Sequence, residues 1–154
     1  MYSFYRSIVL TGAVHFICLT VQAQNIVGSW KTVSNIVEDM DGKKKDMSAL
    51  LKEKWPCLVE LQTVFEANGT QVMKSPKNCG PIDYNKLPAS TWKMRGNIIS
   101  ISNKDMPSPL GNTATYLVEF IGNKAIFTHE YSNEEKTKLH TPNAKKLVIT
   151  YQKS

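Results

Sequence analysis

The chain has 154 residues, 42% of them hydrophobic, and a formal net charge of +6. That length fits one domain. The basic excess is spread along the chain with no basic helix and no base-stacking motif, which argues against a nucleic-acid binder and leaves room for an anionic ligand or surface.

The first segment, residues 1–23, reads as a cleaved secretory signal. "MYSFYR" carries the start amine and Arg6, "SIVLTGAVHFICLT" is apolar, and "VQA" places small residues where a signal peptidase reads. The competing reading is a retained membrane anchor; the apolar run is too short for it and His15 interrupts it. Cys18 does not follow the Leu/Ala/Gly-type box of a lipoprotein signal. Cleavage makes Gln24 the new N-terminus, lowers the net charge from +6 to +5, and leaves Cys57 and Cys79. Two cysteines in an exported chain pair most simply as one disulfide. Closing a loop of about 22 residues stabilises by roughly 3 kcal/mol on the chain-entropy account. Two free thiols on a metal are disfavoured, because no further ligands lie nearby. The expected location is outside the cytoplasm, periplasmic or extracellular, with no stable membrane insertion once the signal is removed.

From residue 24 onward, short β-prone runs alternate with turn residues. Eight are expected as strands: 27–36, 58–66, 70–75, 89–95, 97–103, 113–121, 124–132 and 145–152. The second joins the third through "ANGT", an Asn-Gly turn suited to a hairpin. The fourth joins the fifth at Gly96-Asn97, and the sixth joins the seventh at Gly122-Asn123. The other four connections are long and rich in Pro, Lys, Asn and Asp. Tight turns and long loops therefore alternate, and in an up-and-down meander they collect at opposite ends. Eight strands suffice to close a barrel and remove its edges. The expected fold is thus all-β: an eight-stranded antiparallel up-and-down β-barrel shaped as a cup.

One helix is expected, in the first long connection. "DMSALLKEKWPC" sets Met47, Leu50, Leu51 and Trp55 at helical spacing, with Asp46 as N-cap and Pro56 as stop. It is read at the cup's mouth, either as a packing plug or as a lid over a ligand. Both cysteines fall at the same end. Lys43, Lys44 and Lys45 read as a solvated loop. No internal repeat, low-complexity segment or dividing linker follows, so residues 24–154 form one domain.

The triplet "GSW" at 28–30 resembles the Gly-x-Trp signature of the lipocalin and calycin superfamily. "FEANGT" (65–70) resembles the Phe-x-x-(Asp/Asn)-Gly-Thr hairpin of bacterial secreted lipocalin-like domains, and "TWKMRGNIISI" (91–101) is similar to their Trp-containing hairpin. The cysteine pair flanking the second and third runs is also similar. Departures accompany the match: there is no Thr-Asp-Tyr motif, and the last run has Lys145 and Lys146 but no arginine to pack over the first-strand tryptophan. The resemblance implies an eight-stranded barrel that commonly binds small apolar molecules. It assigns structural roles to Gly28, Trp30, Phe65, Gly69 and Trp92.

Ligand binding in a cup needs inward apolar and aromatic positions with a few polar groups. Trp30, Phe65, Trp92 and Met94 are candidates for one face; Phe127, His129 and Tyr131 share another, and Leu147, Ile149 and Tyr151 a third. Small barrels are often filled by such side chains, and Trp30 and Phe65 read as packing at the closed end. The ligand candidates are Leu51, Trp55, Tyr116, His129 and Tyr131. Catalysis has little support. There is no His-Glu-x-x-His, Gly-x-Ser-x-Gly or Gly-rich phosphate loop. His129 and Glu130 point to opposite faces, and nothing brings Glu60 to Glu119. No cofactor, metal or catalytic residue is expected. The four long loops together carry a net charge of +4, read either as a basic rim that steers an anionic headgroup or as lysines that keep the protein soluble. Two functions remain open: a non-enzymatic barrel for a small apolar or amphipathic ligand, anionic in one version, and a structural or inhibitor-like interaction barrel with a filled interior. The sequence names no protein partner.

Overall fold

The computed structural model describes residues 26–76, 79–105 and 110–154. The expected signal at 1–23 and the new terminus at Gln24 lie outside them. The β-prone runs form β1 (Gly28–Asp39), β3 (Gln62–Phe65), β4 (Thr70–Lys74), β5 (Ser90–Arg95), β6 (Ile98–Ser102), β7 (Thr113–Ile121), β8 (Lys124–Glu130) and β9 (Ala144–Lys153). All neighbouring pairs are antiparallel, each strand pairs with the next, and β9 returns to pair with β1. The result is a closed eight-stranded up-and-down barrel. A ninth strand, β2 (Lys44–Asp46), folds back on β1 outside that count. Two short helices follow: α1 (Met47–Lys54), after β2, and α2 (Asn133–Lys138), between β8 and β9. No helix among the described residues is long and apolar enough to cross a membrane.

Boundaries shift for local reasons. The second expected strand begins at Gln62, not at 58, because Pro56–Glu60 winds into a 3-10 turn. Proline fits the first position of such a turn, where no N–H is needed. The first strand runs on to Asp39 because it changes partners. Gly28–Lys31 pair with β3, and Ile36–Glu38 pair with β2. Between them the β9 register slips at Val33, a bulge that leaves this side chain 42% exposed. Lys52 of α1 donates to the carbonyls of Thr32 and Val33 at 3.0 and 3.1 Å. The helix is thus tied to β1 at the bulge.

The tight turns sit at one end, and the chain beneath them is packed solid. Trp30 is buried, and its indole N–H donates to the Ile26 carbonyl at 2.7 Å. Phe65 meets Trp92 edge-on at 6.0 Å, and Trp92 donates from its indole to the carbonyls of Glu66 and Thr70 at 3.2 and 3.1 Å. Gly69 holds φ +84° in that turn, and a Cβ there would stand 3.2 Å from the Trp92 carbonyl oxygen. A substituent at Gly69 is therefore excluded both by conformation and by space. Lys153, at the end of β9, lays its ammonium 5.4 Å from the centre of the Trp30 ring. It occupies the place above the first-strand tryptophan where the sequence offered no arginine; Lys145 and Lys146 lie at the far end of the same strand.

The opposite end is held by the Cys57–Cys79 disulfide, Cα–Cα 5.7 Å, which ties the 3-10 turn before β3 to the loop after β4. Replacing Trp30 with Ala removes the largest buried side chain at the closed end. The expected loss is about 3–5 kcal/mol in urea unfolding; a loss under about 1 kcal/mol would show that Trp30 does not carry this packing.

Candidate functional site

Strand alternation sends every second side chain into the barrel. Above the closed-end core these inward residues leave a cavity of about 230 Å³. Its walls are Gln71 and Met73 of β4, Ser90 of β5, Ile101 of β6, Ala114 and Tyr116 of β7, Phe127 of β8, and Ile149 and Tyr151 of β9. Leu87, Pro88, Gly111 and Asn112 approach from the long loops. Phe127 lies at its base, 5.8 Å from Tyr116 and 5.1 Å from Tyr151 by ring centroids. The cavity lies beside the thinnest seam of the barrel. Strands β4 and β5 pair through only Thr70–Thr91 and Gln71–Ser90.

The polar groups of this interior are neutral. Burial pushes the Tyr151 phenol up to about 12, against a hydrogen bond with Thr63 that acts the other way. Burial also raises the Tyr116 phenol, helped by the nearby Tyr151, Tyr131 and Glu135. Both therefore stay protonated at neutral pH. Asn103 donates to the Ser90 hydroxyl at 3.2 Å. Among the described residues no hydrogen bond engages the Gln71 amide or the Tyr116 hydroxyl. Asn35, paired across the ladder with Ile149, has a buried Oδ1 without a partner there.

Of the residues singled out from sequence, Tyr116 lines the cavity. His129 and Tyr131 stand above it on the same side, their rings 5.5 Å apart, with His129 5.6 Å from Tyr116. His129 Nδ1 lies 2.8 Å from the Thr115 carbonyl oxygen and Nε2 lies 3.1 Å from Glu135. Leu51 is 45% exposed on α1. Trp55 packs its ring over Gly80, beside the disulfide, and Lys54 stands 4.8 Å from the ring centre. Neither Leu51 nor Trp55 is among the described residues that border the cavity. Glu60 pairs with Lys31 at 2.8 Å, while Glu119 points outward from β7. No group of three or more His, Cys, Asp or Glu suited to a metal occurs among the described residues.

Gln71, Met73, Ser90 and Ala114 were not singled out, although the signal for two of them was present. Phe65 faces inward and lies opposite Gln71 across the Asn-Gly turn, and Thr63 lies opposite Met73. Alternation from Phe65 assigns both to the interior. The helix α2 also had a signature, the Ser132-x-x-Glu135 capping box. Ser132 caps the Glu135 N–H, and the Glu135 carboxylate accepts from the Ser132 N–H at 2.7 Å and hydroxyl at 2.8 Å. No family model matches the chain, and no curated protein matches it.

Glu135 joins α2 to the barrel through His129. Burial raises its carboxyl, but the Ser132 and His129 contacts outweigh this and hold it below the ordinary 4.5. A lowered folded value means that the unfolded chain binds protons first as pH falls. The contribution of Glu135 is therefore complete above about pH 4.5 and is lost as pH drops through the folded value. Glu135→Gln should flatten that part of the stability curve and cost about 1 kcal/mol at pH 7, read by urea unfolding between pH 7 and pH 3. An unchanged acid limb would show that another carboxylate governs it.

Proposed function

We propose that this chain is an exported, non-enzymatic lipocalin-like barrel that holds a small apolar or amphipathic molecule in its interior cavity. The observation that carries the reading is the cavity itself: a space of about 230 Å³ above a solid floor, walled by apolar and aromatic side chains with a few polar groups. Cavities of this make-up are the usual small-molecule sites of barrels. An apolar cavity of about 150 Å³ holds benzene, so this one suits a single ring with a short substituent. The lipocalin-like reading is supported by the Gly28-x-Trp30 floor and by Lys153 over the indole. The Cys57–Cys79 disulfide supports an oxidising compartment, periplasmic or extracellular. Leu50 and Leu51, both about half exposed on α1, favour a second reading in which the outer wall meets a protein partner.

Native mass spectrometry with organic extraction, on protein purified from its own export fraction, distinguishes the two. The expected result is a reproducible small molecule that is lost in Ala114→Phe, which fills the cavity from β7 while leaving the circular dichroism spectrum unchanged. A bare protein with a stoichiometric protein partner would overturn the cavity reading in favour of the outer wall.

A further inference from the structure

The charged and the hollow parts of this barrel are separate. None of the described side chains that line the cavity is charged. Three lysines gather away from it: Lys146, Lys44 and Lys145 stand 3.6, 3.8 and 3.9 Å from Glu38. Glu38 pairs with Lys146 across the β1–β9 ladder, one position beyond the Val37–Leu147 pair. Leu147 also lies opposite the inward His129, so Glu38 and Lys146 belong to the outward face. The charge of this cluster therefore stays on the outer face and does not enter the interior.

An anion inside this cavity would lose its water without gaining a cation, which is costly in an apolar space. A neutral polar group meets no such cost. The Gln71 amide offers donors and an acceptor, and the Tyr116 hydroxyl can serve as either. The rings of Tyr116, Phe127 and Tyr151 are inclined to one another, at 51° and 74°, and suit edge or face contact with a further ring.

We infer that the cavity selects an uncharged, ring-bearing small molecule whose polar group is hydrogen-bonded by Gln71 and Tyr116, and that it rejects the carboxylate of the same size. This rests on the cavity being a ligand site. The ligand class then follows from the lining alone, and the basic rim plays no part in selecting it.

The test titrates the purified protein at pH 7 with benzyl alcohol, benzamide, toluene and benzoate, followed by the methyl resonances of Ile101 and Ile149. Benzyl alcohol and benzamide should bind at least about tenfold more tightly than benzoate. Equal or tighter binding of benzoate overturns the inference and leaves the cavity reading standing. Failure of all four probes to bind overturns the cavity reading itself. Tyr116→Phe should weaken benzyl alcohol and leave toluene unchanged; equal weakening of both removes Tyr116 as an anchor. Gln71→Lys should raise benzoate affinity about tenfold or more, with Met73→Lys supplying the same cation if the first variant does not fold. An unchanged benzoate affinity in a folded lysine variant overturns the electrostatic basis.

Discussion

The β1–β9 ladder is the constraint on which the rest of the structure depends. It joins nine residue pairs, from Trp30–Lys153 to Asp39–Ala144, whereas β4 and β5 share two. Closing a sheet requires strands to tilt and stagger, and a long strand must bend to do so. Here β1 bends at the Val33 bulge. Beside the bulge, between the stretches of β1 paired with β3 and with β2, Lys52 donates to the Thr32 and Val33 carbonyls. The helix thus docks on a stretch of β1 that no strand pairs on that edge. Asp46 secures the helix start by accepting from the Ser48 and Ala49 N–H groups, and it also accepts from the Asn35 N–H on β1.

The two seams also divide the labour along the barrel. At the tight-turn end the indoles of Trp30 and Trp92 each donate to a backbone carbonyl, so large rings are buried without leaving a polar atom unmet. Higher up, the sparse β4–β5 pairing stops at Gln71–Ser90. Smaller side chains there, Ser90 and Ala114, leave the space that the closed end lacks. A wide, mostly apolar hollow with neutral polar groups is what remains. Its two phenols are kept protonated by the same burial that makes the space apolar. Above it, His129, Tyr131 and Glu135 connect the strand end to α2, so the connection between β8 and β9 is anchored to the barrel.

Much of this was legible in the sequence because it is carried by local signals. Gly69, Gly96 and Gly122 all hold positive φ at the three tight turns, as Gly-Asn and Asn-Gly dipeptides lead one to expect. Their spacing fixed the meander and the end at which the cysteines meet. Strand phase was legible where an aromatic marked it, as with Tyr116 and Phe127. It was not used on β4, where Gln71 and Met73 do not announce a buried face. The Ser132–Glu135 capping box was present but lay among residues read as a long loop. The apolar spacing of Leu50 and Leu51 indicated a helix but not what it would pack on, and both remain largely exposed.

The sequence alone therefore determined the eight barrel strands, the up-and-down order, the closed end with its tryptophan, and the pairing of Cys57 with Cys79, but not the short β2. The first three depend on turn chemistry or on period-two alternation within a few residues, and the last on the count of cysteines left beyond residue 23. Only the tertiary structure decided that α1 is tied to β1 and does not line the cavity, that Lys153 covers Trp30, that Lys44, Lys145 and Lys146 gather outside on Glu38, and that the described lining of the hollow beside β4 and β5 is uncharged. These depend on shear and on the β1 bulge, which set residues far apart in the chain against one another. No local pattern encodes that register.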